Sequence, residues 1–172
     1  MALRVFALLA LTLALLLNGC AGYQLGGAKP QQLGAINSLH VAMARNDTQI
    51  PRAAAHTTNS IVNALTRDGT YRIATIDTAD ARLLTTFRKI NYRQARSTRI
   101  DILRSEELEM EVHLHWILVD ARNPLKILAQ GKSRGTTRFF VDPNLQTARQ
   151  TALIDALKRA SEAVASRLAD GF

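Results

Sequence analysis

Apolar and polar residues alternate along residues 107–120, and this is the clearest pattern in the chain. The apolar positions are Leu108, Met110, Val112, Leu114, Trp116 and Leu118. The residues between them include Glu107, Glu109, Glu111, His113 and His115. Because successive side chains of a strand point to opposite faces, this period of two predicts a strand with one buried and one polar face.

Residues 125–141 are expected to return as a second strand after a turn at residues 122–124. Placing Asp120 opposite Leu125 fixes a register for this hairpin. In that register the pairs are Trp116 with Ala129, Leu114 with Gly131, Val112 with Ser133, Glu111 with Arg134, Glu107 with Arg138 and His113 with Lys132. Large side chains then oppose small ones on the buried face, and carboxylates oppose arginines on the polar face.

Two amphipathic helices are predicted beside the strands. Apolar residues recur at helical spacing within residues 52–68, between Pro51 and Gly69, which are typical of the start and the end of a helix. A second apolar stripe runs through residues 143–169, where Asp142 is typical of an N-cap.

Shorter apolar runs at residues 36–44, 71–76 and 81–95 predict three more strands. The element order is therefore β-α-β-β-β-β-α. Each helix has one apolar stripe and the hairpin has one apolar face, so these surfaces are expected to pack together. The sequence predicts an α+β fold: a two-layer sandwich with two helices on one face of a mixed or antiparallel four- to five-stranded sheet.

Composition narrows the class of protein. The chain has 172 residues, 22 Lys and Arg, 14 Asp and Glu and a single Cys, for a formal net charge of +8. This length fits one domain, and one Cys excludes an internal disulfide framework. An apolar content of 47% is too high for a disordered chain.

Residues 1–19 have the pattern of a cleaved signal peptide. Arg4 precedes an apolar run over residues 5–17, and Asn18 and Gly19 follow it. As a helix this run would span roughly 20 Å, which is too short to cross a hydrocarbon core of about 30 Å.

Residues 17–20, Leu-Asn-Gly-Cys, resemble the lipobox of bacterial lipoproteins. The resemblance implies that the leader is cut before Cys20 and that Cys20 carries fatty acyl chains such as palmitate, which anchor the protein to a membrane. The residue after Cys20 is Ala21 and not Asp, and by resemblance to the common sorting rule of lipoproteins this favours the outer membrane over the inner one. Residues 20–35, rich in Gly, Gln and Ala, are expected to form a lipidated tether ahead of a single domain over residues 36–172.

No catalytic residue is predicted. Gly131, Ser133 and Gly135 match the Gly-x-Ser-x-Gly pattern of a hydrolase nucleophile, but that motif needs a turn from strand into helix. The residues that follow favour strand, and Ser133 is expected to face inward. The enclosed Gly-Lys-Ser is not a Walker loop, because Lys126 occupies the position of that loop's first Gly. No cofactor is expected.

His113 and His115 are weak candidates for a metal site. They lie on one strand face beside Glu111, and two imidazoles with a carboxylate can bind zinc or copper. The sequence offers no further ligand, and Lys132 is expected opposite His113. Exposed strand histidines are the alternative interpretation.

Seven basic residues fall within residues 82–104, where Asp101 is the only acidic residue. Six are candidate contacts for an anionic partner: Arg88, Lys89, Arg93, Arg96, Arg99 and Arg104. A nucleic acid is not the expected partner, because the lipobox directs the protein to the envelope. The expected partners are the phosphates of lipopolysaccharide, which arginine and lysine side chains bind well. The alternative is that these cations pair with Glu107, Glu109 and Glu111 on the neighbouring strand.

An ordered set of motifs resembles one protein family. Residues 22–27, Gly-Tyr-Gln-Leu-Gly-Gly, resemble the start of lipopolysaccharide-assembly lipoproteins of the LptE type. Residues 39–48, 51–71 and 79–83 resemble that family's first strand, first helix and entry to the long strand. The likeness extends over almost all of residues 20–172, with Ala21 as an extra residue before the family's Gly.

This resemblance implies an assembly role and no catalysis. Proteins of this family sit as a plug inside a large outer-membrane β-barrel of the LptD type, help that barrel to assemble, and assist the insertion of lipopolysaccharide in the outer leaflet. The resemblance also implies a location at the cell outer membrane, lipid-anchored on its periplasmic side.

A second interpretation remains open. The chain could be a stand-alone envelope lipoprotein that binds a small anion or a metal, or an unrecognised hydrolase. That interpretation predicts a deep pocket lined by His113, His115, Ser133 or clustered carboxylates, whereas the plug predicts a flat sheet.

Overall fold

The computed structural model describes residues 29–96, 107–141 and 144–171. In chain order the elements are β1 (Ser38–Val41), β2 (Arg45–Asn46), α1 (Ala53–Asp68), β3 (Arg72–Ile73), β4 (Ala81–Arg96), β5 (Glu107–Asp120), β6 (Ile127–Phe140) and α2 (Leu145–Asp170). A 3-10 turn over Gln31–Leu33 precedes β1. The predicted signal peptide and Cys20 lie outside the described residues. Leu33, inside the predicted tether, is buried in the core.

The strands form one mixed sheet of six strands in the order β3-β1-β4-β5-β6, with β2 also paired to β4. β1 runs parallel to β3 and β4, whereas β4, β5 and β6 are antiparallel. Alternate apolar side chains of β4 and β5 are buried on the face that carries both helices: Leu83 and Phe87 of β4, and Met110, Val112, Leu114, Trp116 and Leu118 of β5. The two-layer α+β prediction is confirmed, and the expected count of four to five strands becomes six.

The extra strand is β2, which lies directly after the predicted strand over residues 36–44, and within that predicted strand only Ser38–Val41 forms β1. The amide of Ala44 donates to the hydroxyl of Thr58 in α1, at 2.9 Å, and Met43 beside it is exposed. This bond to the helix interrupts the ladder before β2 resumes pairing with β4. A side-chain hydroxyl that competes for a backbone amide leaves no mark in the apolar pattern.

The predicted register of the β5–β6 hairpin is wrong by two residues. Trp116 lies opposite Gly131, and Glu111 opposite Thr136. The turn is longer than expected, because the amide of Asp120 donates to the carbonyl of Lys126 at 3.0 Å and β6 begins only at Ile127. Since a shift of two residues preserves the alternation, side chains predicted on the buried face, such as Trp116 and Ser133, still lie on it.

Two glycines of β6 allow close packing on the inner face. A Cβ at Gly131 would lie 2.6 Å from the ring carbon Cζ2 of Trp116. A Cβ at Gly135 would lie 2.5 Å from the amide nitrogen of Ala160 and closer still to the carbonyl oxygen of Ala156. α2 therefore crosses β6 with its backbone almost touching the strand at Gly135.

The predicted glycine cap is present at the C-terminal end of α1, whereas the N-terminal ends of both helices differ from the prediction. α1 ends at Gly69, which has a φ of 77° and donates to the carbonyl of Leu65, as predicted. It begins at Ala53, one residue later than expected, after Arg52 with a φ of 60°. α2 begins after Asn144, whose side chain accepts from the amide of Thr147 at 3.2 Å. The predicted cap, Asp142, lies outside the described residues.

Within the described part of the chain, neither helix combines the length and the apolar character needed to span a membrane.

Candidate functional site

The sheet face opposite the helices carries most of the candidate side chains. We call it the outer face. Most of its charged and imidazole side chains form three rows: Arg88, Lys89 and Arg93 on β4; Glu107, Glu109, Glu111, His113 and His115 on β5; and Lys132, Arg134 and Arg138 on β6. Arg82 lies further along β4, opposite Val119. The acidic end of the β5 row is therefore flanked by a basic row on each side.

Glu109 lies between two arginines. Its Oε1 is 2.7 Å from a guanidinium nitrogen of Arg93, and its Oε2 is 3.4 Å from Nε of Arg138. The hairpin pattern predicted Glu107 as the partner of Arg138, and the shift of register transfers that arginine to Glu109.

Glu111 is a buried carboxylate, with 8% of its surface exposed. Its oxygens lie 3.5 Å from Nε2 of His113, 3.6 Å from Arg134 and 4.0 Å from Arg93. The predicted Glu111–Arg134 contact is present as a diagonal neighbour, since Thr136 occupies the position directly opposite. For Arg93, intramolecular pairing is thus the interpretation that the geometry favours.

Arg88 lies at an irregularity of β4, because the pairing with β5 skips from Phe87 to Lys89. Its guanidinium contacts the carboxylate of Asp47, which also accepts from Arg45 at 2.8 Å. These hydrogen bonds, first that of Arg45 and then that of Arg88, lower the pKa of Asp47. This pairing was not predicted from the sequence, where Asp47 in the polar turn after β2 was the available signal.

Lys89 and Lys132 differ from these arginines. We call them the lysine pair; Lys89 lies opposite His113 on β5, and Lys132 lies opposite His115. Among the described residues, neither ammonium group has a carboxylate within 4.0 Å. The two strands flank β5, so their backbones are roughly 10 Å apart. Among the described cations of the three rows, the lysine pair is the part that contacts no carboxylate and remains available to an external anion.

The histidines are arranged poorly for a metal ion. Burial lowers the pKa of His115, and the positive charges of Lys132 and Arg88 lower it further. The same charges repel a bound cation. His113 is occupied by Glu111 and by Asn91, whose Nδ2 is 3.4 Å from its Nε2. Within residues 29–96, 107–141 and 144–171, no three His, Cys, Asp or Glu side chains are grouped to hold a metal.

Ser133 lies on the inner face, with 4% of its surface exposed. Its Oγ accepts a hydrogen bond from Nε1 of Trp116 at 3.2 Å. The inward orientation expected from the alternation is therefore present, with Leu114 in place of Val112 opposite. In this position the hydroxyl satisfies a buried indole.

The remaining predicted site residues lie at or beyond the end of β4. The backbone of Arg96 pairs with Glu107, and its side chain lies outside the described residues. Arg99 and Arg104 also lie outside the described residues, as does Cys20.

Open grooves lie along the seams of the fold. One of about 530 Å³ separates the first turns of the two helices and contains Tyr92, with the guanidinium carbon of Arg149 5.2 Å from its ring centre. Others of about 620 and 750 Å³ run between β6 and α2 and beside β3. None of these three grooves is lined by His113, His115 or Ser133.

No protein-family model matches the chain, and neither does any curated protein. Solved structures do match its fold. A Xanthomonas campestris protein of the DUF330 family has a TM-score of 0.57 and 15% identity, over 85% of this chain and 92% of that one. A homologue of a neuraminyllactose-binding hemagglutinin from Helicobacter pylori has a TM-score of 0.53 and 10% identity, over 87% and 90%. A minor lipoprotein from Acinetobacter baumannii has a TM-score of 0.51 and 7% identity, over 77% and 91%. At such identities the likeness is one of fold, and this fold occurs in at least one bacterial lipoprotein.

Proposed function

We propose that this chain is a lipoprotein of the bacterial outer membrane, anchored through acylated Cys20 on the periplasmic side. In this proposal it is the plug and assembly partner of a lipopolysaccharide-transport β-barrel of the LptD type, and it assists the insertion of lipopolysaccharide in the outer leaflet. It acts by binding, without catalysis.

The sequence supports the envelope location. The leader over residues 1–19 ends directly before the only Cys of the chain, and residues 17–20 resemble a lipobox. More than one acyl chain on Cys20 would give stable anchoring. The occurrence of this fold in an Acinetobacter baumannii lipoprotein is consistent with that location.

The observation that carries the proposal is the outer face. It is one side of three adjacent long strands, it is left uncovered by α1 and α2, and it presents alternating rows of cations and carboxylates. The interior of a wide outer-membrane barrel is polar. A surface of mixed charge with a fixed geometry suits such a partner, because complementary charges set orientation and specificity.

The lysine pair supports a contact with lipopolysaccharide. Four arginines near it, Arg88, Arg93, Arg134 and Arg138, already contact carboxylates of the chain. An external phosphate would have to displace a carboxylate of the chain from each of these arginines. At Lys89 and Lys132 it would not, because no described carboxylate contacts either ammonium group. We therefore expect lipid A phosphates to contact Lys89 and Lys132 before the arginines.

Co-purification tests the assembly role. The tagged full-length chain is extracted from its native membranes in mild detergent, captured, and its partners are identified by mass spectrometry. The proposal predicts a β-barrel of several hundred residues among the recovered proteins, and a fall in the level of that barrel when the chain is depleted. Cys20→Ala, which removes the acylation site, is the control and should lose the barrel.

Two outcomes would contradict the proposal. If the membrane-anchored chain is folded and recovers no barrel, the plug role is wrong. If it instead binds a small anion or a metal as an isolated protein, the stand-alone interpretation replaces it.

A further inference from the structure

β6 is an edge strand of unusual length. It is last in the order β3-β1-β4-β5-β6, and among the described residues it pairs with β5 alone. It contains 14 residues, which amount to roughly 48 Å of extended backbone. A strand in this position directs every second amide and carbonyl away from the sheet, and such an edge can accept another strand. The guanidinium of Arg167 in α2 donates to the carbonyl of Lys132, so an added strand must displace that contact or pair beyond it.

A groove of about 620 Å³ runs beside the C-terminal half of this edge. Its strand side includes Thr137 and Phe139, and its helix side includes Ala148 and Ala152 of α2. A strand added to β6 would direct every second side chain towards α2 and this groove. The small helix residues leave room there, and the floor is largely apolar.

The groove disfavours acidic side chains. Asp155 lies in its lining, and a hydrogen bond from Thr137 lowers the pKa of its carboxyl, as does the guanidinium of Arg159 at 3.0 Å. The carboxyl of Asp155 is ionised at neutral pH and already paired with Arg159, and Arg138, the other charged residue of the lining, contacts Glu109, so a second carboxylate meets no unpaired cation in the groove. Apolar side chains of moderate size fit this side of an added strand best.

The other side of the same edge has the opposite preference. Lys132, Arg134 and Arg138 point to the outer face from β6, and the side chains of Arg134 and Arg138 are 76% and 64% exposed. Cross-strand neighbours on one face lie about 5 Å apart, so these cations would stand beside the outer-face residues of an added strand. An acidic residue beside Lys132 would form a favourable pair, whereas one beside Arg134 or Arg138 would share the guanidinium with Glu111 or Glu109.

A second copy of this chain is a poor occupant. Antiparallel pairing of β6 with itself would bring the row of Lys132, Arg134 and Arg138 against the same row, and like charges across a ladder destabilise it. Basic side chains on an edge are a known means of preventing such self-association. The charge of the row therefore selects against self-pairing and in favour of an acidic strand.

We propose that the β6 edge binds an extended segment of another protein in which acidic residues alternate with apolar ones, and that this segment adds a strand to the sheet. Main-chain hydrogen bonds provide the affinity, whereas the basic row and the groove beside α2 set the sequence preference. This inference stands on the edge, the groove and the row of charges, and it does not depend on the proposed function.

Synthetic peptides test it with the lipidated full chain in mild detergent. The probe is a capped peptide of alternating Glu and Val, about eight residues and ~27 Å long. A peptide of the same composition with all Glu first and all Val last keeps the charge and loses the alternation. Binding is measured by isothermal titration calorimetry, and backbone protection of β6 by hydrogen–deuterium exchange.

The proposal predicts that the alternating peptide binds at least about tenfold more tightly than the block peptide and protects amides of residues 127–140. Lys132→Glu should weaken its binding about tenfold or more. Arg72→Glu on β3, at the opposite edge of the sheet, makes the same change of charge and should leave binding within about twofold. Ala148→Trp, which fills the groove, should also weaken binding and serves as a second variant if Lys132→Glu does not fold.

Equal binding of the two peptides would overturn the proposal, because it would show charge attraction without strand addition. Binding without protection of β6 would overturn it as well. Absence of binding to either peptide would show that the basic row serves only to block the edge. None of these results bears on co-purification with a barrel, so the proposed function would stand or fall separately.

Discussion

Replacing Gly135 with Ala is expected to destabilise the fold by driving α2 away from β6. The new Cβ would lie 2.5 Å from the amide nitrogen of Ala160, and closer to the carbonyl oxygen of Ala156. Ordinary contacts of this kind begin near 3.4 Å, so the helix must move by about 1 Å. Both obstructing atoms belong to the helix backbone, so no side-chain rotation relieves the clash.

The cost follows from the packing of α2. Overpacking a well-packed core typically costs about 1–3 kcal/mol, and the rigid backbone at Gly135 favours the upper part of that range. The gain from replacing Gly by Ala in a strand, about 0.5–1 kcal/mol, offsets part of it. We expect a net loss of about 2 kcal/mol, and a Tm lower by about 4–8 °C for a domain of this size.

Urea unfolding and a thermal melt followed by circular dichroism measure this loss. Gln130→Ala, on the exposed face of the same strand, is the matched control and should change the Tm by less than about 2 °C. Ala156→Gly should not rescue Gly135→Ala, because the obstruction comes from the backbone of residue 156. A Tm for Gly135→Ala that equals that of the control would refute the close crossing of α2 over β6.

Three further substitutions test other parts of the account. The Tyr71 hydroxyl donates to the Leu168 carbonyl at 2.6 Å, so Tyr71→Phe should cost about 1–2 kcal/mol in urea unfolding. Burial raises the pKa of Tyr71 to about 12, so its hydroxyl stabilises the fold fully below pH 10 and progressively less between pH 10 and 12. The difference in unfolding free energy between the native protein and Tyr71→Phe should therefore close over that range, and a constant difference would contradict this. Asp80 accepts from the amides of Asn37 and Ser38 at 3.0 and 2.9 Å, and these bonds, with that of the Ser38 hydroxyl, lower the pKa of its carboxyl. Asp80→Asn should thus lower the free energy of unfolding by about 1 kcal/mol at pH 7, and should match the native protein once the pH falls below that lowered pKa. Equal stability of the two proteins at pH 7 would contradict the role of these hydrogen bonds. Lys89→Glu should weaken lipopolysaccharide binding at an unchanged Tm, with Arg72→Glu as control, and unchanged binding would retire the lysine pair as the contact.

The alternation in residues 107–120 was sufficient to predict which side chains face the helices, although Glu111 and Val119 on the other face are buried as well. Strand parity is a local property, and it survives the shift of the hairpin by two residues. The register itself depends on the turn, where a bond from Asp120 to Lys126 lengthens the loop. That bond joins two backbone atoms, so the residue types in the turn do not predict it.

For the candidate site, the sequence predicted the kind of contact but not the individual partners. The pattern indicated that Glu109 and Glu111 meet arginines, but it could not assign the partners without the correct register. The contact of Arg88 with Asp47 depends on the parallel pairing of β2 with β4, which joins residues 41 positions apart. Long-range parallel pairing has no local signature in the sequence. The separation of the lysine pair from the paired arginines therefore became visible only in three dimensions.

Site-specific photocrosslinking in living cells tests the central claim, that the outer face lies against an outer-membrane barrel. A photoreactive phenylalanine analogue placed at Lys89 or Gln130, both exposed on that face, should trap a β-barrel of several hundred residues after irradiation. The same chain with Cys20→Ala should give no such product. The account predicts a crosslinked barrel from both positions, and a correctly anchored, folded protein that yields none from either position would contradict it.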